Sequence, residues 1–143
     1  MTDPLIFPVF AQAALIFVLM LMTFRSRVGA LRSGRVKIKD IALDNSAWPE
    51  DVKKVSNCFN NQFQAPILFF IIVMLIIGAG ASHAAYAALA WAFVAARLVH
   101  AYIFVTSNNV PRRFYAFAAS SIALISMWVL FAAESIQIIA TRS

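Results

Sequence analysis

Residues 55–96, VSNCFNNQFQAPILFFIIVMLIIGAGASHAAYAALAWAFVAA, decide the fold of this chain. The stretch is 42 residues long and contains no Asp, Glu, Lys or Arg. A helix needs about 20 apolar residues to cross the hydrocarbon core of a bilayer, so the stretch has the length of two crossings. Small residues and a histidine at 78–83 interrupt it near its middle. The sequence therefore predicts a hairpin of two membrane helices, at about 52–78 and 84–107.

Two further uncharged stretches flank this hairpin, over residues 4–24 and 114–133. Each has the length of one crossing, so they predict the first and fourth helices at about 4–25 and 112–139. A loop over about 26–51 and a turn at 107–111 complete the chain. The prediction is an all-α integral membrane protein, a bundle of four transmembrane helices that forms one domain over residues 1–143. The composition agrees, since 13% of the residues are charged, whereas soluble domains have about 25%.

The basic residues are concentrated in two loops. Eight of the twelve Lys and Arg residues lie between the first and second helices, and two lie between the third and fourth. By the positive-inside rule both loops face the cytoplasm, so both termini lie outside. The net charge of +6 is therefore interpreted as orientation and attraction to anionic headgroups, not as a nucleic-acid surface. The short chain and lean loops favour a multi-pass protein of a bacterial inner membrane.

Strongly polar side chains within or next to the spans are the candidate site residues, because an ionisable group costs about 2.5–3.5 kcal/mol at the bilayer centre. They are three amides on one face of the second helix, two residues on one face of the third, and two loop arginines: Asn57, Asn61 and Gln64; Arg97 and His100; Arg112 and Arg113. Two interpretations stay open. One is interhelical hydrogen bonding with a snorkelling arginine, and the other is a pocket for an anionic carboxylate or thiolate.

Short motifs in the same helices resemble those of a known family. Asn61-Gln62-Phe63-Gln64, ahead of Pro66, is similar to an Asn-x-x-Glu motif. Arg97-Leu98-Val99-His100, followed by Pro111-Arg112-Arg113, is similar to an Arg-x-x-His motif and a later arginine. With four spans of matching length, nearly the whole chain resembles the membrane-associated proteins in eicosanoid and glutathione metabolism (MAPEG), which include microsomal glutathione transferases.

The resemblance implies a homotrimer that holds glutathione or a related thiol, as co-substrate, in a cytoplasm-facing cleft between subunits. Arg113 would be the catalytic residue, since a nearby cation favours the nucleophilic thiolate. The implied substrate-binding residues are Arg25, Asn61, Gln64, Arg97, His100 and Arg112. The implied partners are membrane lipids and a lipophilic small molecule, with no metal and no nucleic acid.

These implications favour a glutathione-dependent or related thiol-dependent transferase or peroxidase that acts on lipophilic electrophiles. Departures from the family pattern favour an alternative, a non-catalytic membrane scaffold or lipid-binding member that has lost the thiol site. The chain has Gln64 in place of the Glu, Asn57 and Asn60 where many members carry Arg, and Phe104 where an aromatic hydroxyl is found. A small multidrug transporter is a third class, but it would need an acidic residue in the first span, where this chain has only Gln12.

Overall fold

The computed structural model describes residues 3–42 and 44–142, and all regular structure within them is helical. The elements are α1 (Ile6–Arg32), α2 (Ile38–Ile41), a short 3-10 helix (Asn45–Ala47), α3 (Glu50–Asn61), α4 (Ala65–Gly78), α5 (Ala84–Val105) and α6 (Val110–Arg142). Four spans in the described chain are long and apolar enough to cross a membrane, with α3 and α4 together forming the second. The predicted all-α bundle of four membrane helices is confirmed.

The first helix continues about two turns beyond its predicted end near residue 25. Arginine is a strong helix former, so helix propensity persists after the apolar run stops, and Ala30 is fully buried beside α3. The helix ends before Gly34, which has a φ of +70°. The Arg35 amide bonds the Ala30 carbonyl at 3.0 Å, closing a Schellman motif. The predicted loop over about 26–51 is therefore shorter, and it contains α2 and the 3-10 helix.

The second span is divided at 62–64, whereas the sequence predicted one helix over about 52–78. Pro66 has no N–H to bond the carbonyl of Gln62, so the helical hydrogen-bond ladder is interrupted there. Gln64 takes a non-helical conformation, with φ −107° and ψ −105°. Side chains replace part of the ladder: Gln62 Nε2 donates to the Cys58 carbonyl at 3.2 Å, and Gln62 Oε1 accepts from Gln12 Nε2 at 3.1 Å. The break in the helix is thus stabilised by hydrogen bonds in the interior of the bundle.

The third and fourth helices agree with their predicted positions to within three residues at each end. They pack extensively against each other. At the end of the bundle opposite the basic loops, Glu134 joins α6 to the α4–α5 turn. Its carboxylate accepts from the Tyr86 hydroxyl at 2.8 Å and lies 3.0 Å from His83 Nε2.

The buried side chains form three layers along the bundle. One layer lies around the α4–α5 hairpin and includes Phe69, Phe93 and Met127. A small middle layer contains Leu19 and Cys58. The third layer lies at the basic-loop end and is formed by Ala30, Val36, Trp48 and Val52. Many large apolar side chains elsewhere are exposed, as membrane helices require in contact with lipid tails.

Candidate functional site

The end of α3 and a buried arginine of α5 form the centre of the candidate site. Because α3 stops at Asn61, the backbone carbonyl of this residue lacks a helical partner. Arg97, which has no exposed surface, donates through Nη2 to Asn61 Oδ1 at 2.7 Å and to the Asn61 carbonyl at 3.3 Å. A cation at a helix C-terminus also interacts favourably with the helix dipole. Arg97 therefore caps α3, and its Nε and Nη1 atoms are buried without hydrogen-bond partners among the described residues.

Arg113 is held in place at the start of α6. Asn109 caps this helix by accepting from the Arg112 amide at 3.0 Å. The Arg113 guanidinium donates to Asn108 Oδ1 at 2.6 Å and lies 4.1 Å from the centroid of the Phe104 ring. Asn108 has a φ of +49°, which asparagine tolerates better than most residues. The turn at 107–109 therefore positions the guanidinium between the ends of α5 and α6.

On one side of Arg113 lies a largely aromatic cavity of about 240 Å³. Asn61 and His100 supply its polar groups, and the other wall residues are Phe104, Val110, Phe114 and Phe117. Val110 and Phe114 are 59% and 62% exposed, so this cavity adjoins the apolar outer surface of the bundle. His100 is buried, and its Nδ1 has no hydrogen-bond partner among the described residues. We call this space the aromatic cavity.

On the other side of Arg113 lies a polar cavity of about 440 Å³. Its walls come from the first part of α3, the end of α5, the following turn and the start of α6: Glu50, Lys53, Lys54, Asn57, Phe104, Asn108 and Arg113. Three cations face one carboxylate, so the space suits an anionic ligand that also carries one positive group. We call it the basic cavity. Arg113 and Phe104 line both cavities.

The structure brings together only part of the predicted residue set. Arg113, Asn61 and His100 line the aromatic cavity. Gln64 is exposed, and its Oε1 accepts from Asn61 Nδ2 at 3.0 Å. Gln64 and the three remaining predicted residues lie outside both cavities. Arg97 is buried behind Asn61, Arg112 is exposed, and Arg25 faces a separate surface groove on α1.

Several lining residues were missed because their positions follow from tertiary structure. Lys53 and Lys54 were attributed to membrane orientation, and Asn108 to a turn. The signal that could have identified them is their distance along the chain from a span end, since each lies within two turns of a helix end that meets Arg113. The aromatic side chains carried no such signal, because lipid contact is the default for a Phe in a membrane helix.

Comparison with known proteins was made for the whole chain. No curated protein and no solved structure gives a significant match. A protein-family profile matches residues 5–133, from the first span to the fourth, and its description is MAPEG family. This family includes glutathione transferases and related membrane proteins. Because the match covers nearly all of the sequence, the chain belongs to the MAPEG family.

Proposed function

We propose that the protein is a membrane transferase or peroxidase that uses glutathione or a related thiol against lipophilic electrophiles. The observation that carries the proposal is the position of Arg113, which lines both the basic and the aromatic cavity. The charges of the basic cavity suit a charged thiol peptide, and the aromatic walls of the aromatic cavity suit a lipophilic electrophile. The two reactants would then meet at the guanidinium.

The chemistry follows from the charge of Arg113. A thiol with a pKa near 8.5 is mostly protonated at neutral pH, and a cation beside it lowers that pKa and increases the thiolate fraction. In the transferase reaction the thiol proton passes to water, the sulfur forms a bond to the electrophilic carbon, and the leaving group departs with its bonding electrons. In the peroxidase reaction two thiols reduce a hydroperoxide to an alcohol and water and are themselves oxidised to a disulfide.

The test compares Arg113→Gln with Arg112→Gln in the purified full-length protein, using glutathione and 1-chloro-2,4-dinitrobenzene. At pH 7 we expect Arg113→Gln to lower the rate about tenfold or more, because the thiolate loses its neighbouring cation. Raising the pH above the free thiol pKa should restore much of that rate. Arg112→Gln removes the same charge from an exposed position outside both cavities, so its rate should stay near that of the unmodified chain. Equal losses in the two variants, or no loss in either, would contradict the proposed role of Arg113.

The proposal includes an assembly and a location. The family resemblance supports a homotrimer, with the thiol bound between neighbouring subunits, and the exposed apolar side chains are available for lipid or for other copies of the chain. The arrangement of basic loops supports a bacterial inner membrane with these loops in the cytoplasm. In that orientation the basic cavity opens on the side where reduced thiols are abundant.

One observation favours a second function, that of a non-catalytic lipid-binding member. Asn61 has both side-chain groups engaged within the chain, by Arg97 and by Gln64, so it is poorly placed to bind a thiol peptide as well. The substitution Gln64→Glu restores the carboxylate of the family motif. If the thiol function is correct, this change should lower the Kd for glutathione by adding a partner for its amino group. Calorimetry that detects no glutathione binding to either form, together with no turnover, would favour the lipid-binding function.

A further inference from the structure

A third cavity, smaller than the basic cavity and sharing Lys53 and Asn57 with it, lies between the end of α1 and the start of α3. Its volume is about 100 Å³. Two cations, Arg27 and Lys53, line it, and no carboxylate does. This space holds several water molecules, so it suits a small group and not a whole tripeptide. Two like charges around one small cavity repel each other unless an anion lies between them.

Arg27 is fixed in this cavity before any ligand binds. Its Nε donates to Ser56 Oγ at 3.2 Å, and its guanidinium carbon lies 5.2 Å from the centroid of the Trp48 ring. Trp48 and Ser56 are themselves 7% and 6% exposed, so both contacts of Arg27 are with buried side chains. Neither Nη atom of Arg27 has a hydrogen-bond partner within the described part of the chain. Donors that are held in position lose little entropy when they bind.

The remaining polar groups of the cavity are uncharged. The side chains of Asn45, Asn57 and Asn60 line it, and the amides of the last two are exposed at its edge. Asp44 belongs to the same loop but is absent from the cavity wall. Hydrogen bonds from the hydroxyl and the amide of Ser46, and to a smaller extent the charge of Lys53, hold the pKa of Asp44 below its usual range, so this carboxylate is bound mainly by Ser46 and offsets only part of the charge of Lys53.

We propose that this cavity binds a phosphate group, with Arg27 and Lys53 as the charged ligands and the asparagine amides as further donors. Phosphate accepts parallel hydrogen bonds from a guanidinium and favours sites with several donors. Tryptophan is enriched at the depth of the lipid headgroups, and Trp48 lines this cavity. The phosphate could come from a lipid headgroup or from solution, and the recognition chemistry is the same. The proposal does not depend on the thiol chemistry.

The experiment follows thermal unfolding of the full-length protein in a phosphate-free nonionic detergent. Inorganic phosphate and dihexanoyl phosphatidylglycerol are titrated separately, with sodium chloride at equal ionic strength as the reference. We expect a saturable rise of the unfolding midpoint that chloride does not produce. Arg27→Gln should increase the half-saturating concentration about tenfold or more. Lys39→Gln removes an exposed cation of α2 that does not line the cavity, and it should change that concentration by less than about threefold.

A second variant keeps the test decisive if Arg27→Gln does not fold. Asn60→Asp changes an exposed residue at the edge of the cavity and introduces a carboxylate, so it should weaken phosphate binding by repulsion. A response to both probes assigns the site to phosphate itself, and a response to the lipid alone assigns it to a headgroup. The proposal is overturned if neither probe raises the midpoint beyond chloride, or if Lys39→Gln weakens binding as much as the cavity variants do.

Discussion

Arg97 and Asn61 show how a single buried pair connects two helices at the candidate site. Arg97 has no exposed surface, and its hydrogen bonds within the described residues go to Asn61. Removing one partner leaves buried donors or acceptors without a bond, which costs about 1–3 kcal/mol. The first role of Arg97 in this chain is therefore to stabilise the end of α3, which in turn fixes the position of Asn61 beside the aromatic cavity.

This role predicts a strong coupling between the two residues. We expect Arg97→Met and Asn61→Ala each to lower the free energy of unfolding by about 1–3 kcal/mol. Because both changes remove the same interaction, the double variant should lose less than the sum, with a coupling of about 0.5–3 kcal/mol. A double-mutant cycle from denaturant unfolding in detergent measures it. Additive losses would show that the two side chains act independently.

At the residue scale the sequence predicts which side chains are unusual better than it predicts what they contact. Arg97, His100 and Asn61 are identified by the cost of polar groups in a membrane, and all three lie at or beside the aromatic cavity. Lys53 and Asn108 lie near the ends of spans, where polar side chains can reach water, so the cost of burial does not identify them. Their place in the basic cavity follows only from how the ends of α3, α5 and α6 meet.

Backbone geometry contributes to the ends of α1 and α4. Gly34 and Gly80 both have positive φ values, of 70° and 65°, and each follows the cap residue of a long helix. The amides that follow them bond back to the carbonyls of Ala30 and Ile76, each at 3.0 Å. Side chains disfavour this left-handed conformation by about 1–2 kcal/mol. The end of α1 therefore depends on Gly34 more than on the last apolar residue.

A matched pair of glycine substitutions tests this interpretation of α1. Gly34→Ala should destabilise the protein by about 1 kcal/mol, because alanine resists a positive φ. Gly29→Ala lies inside the same helix, where an added Cβ meets no atom within 4 Å, so it should stabilise by about 0.5–1 kcal/mol. Thermal unfolding midpoints in one detergent give the two signs directly. Effects of the same sign would contradict the assigned helix end.

At the scale of the whole molecule, most basic residues lie at the same end as the aromatic cavity, the basic cavity and the small cavity beside Arg27. The basic cavity and the smaller cavity beside Arg27 share Lys53 and Asn57, and both lie at the end of the bundle that carries most of the cations. At the other end, Glu134 connects α6 to Tyr86 and His83 by polar contacts, and a further cavity of about 380 Å³ lies beside it. The basic side chains that set the orientation in the membrane also surround the candidate sites. Orientation and function are therefore predicted to depend on the same side chains.

The predicted orientation is open to a direct test with single cysteines. Cys58 is fully buried, so Cys58→Ala provides a background without a reactive thiol. In intact bacterial cells we expect Gln137→Cys to react with a membrane-impermeant maleimide and Lys39→Cys to react only after lysis, since both positions are exposed but lie at opposite ends of the bundle. Labelling of the residue-39 cysteine in intact cells would reverse the orientation and place the basic cavity outside.

The sequence by itself determined the class of protein and the number of spans, and it singled out Arg97, His100 and Asn61 as unusual, because hydrophobic length and the cost of buried charge act locally. It also supported the family assignment, because the motifs are short and the spacing of their residues is visible in the sequence. Only the tertiary structure decided that Arg97 caps α3, that the second span breaks at 62–64, and that Arg113 lies between two cavities. These features depend on contacts between helix ends that are far apart in the chain, and such contacts leave no periodic or compositional trace in the sequence.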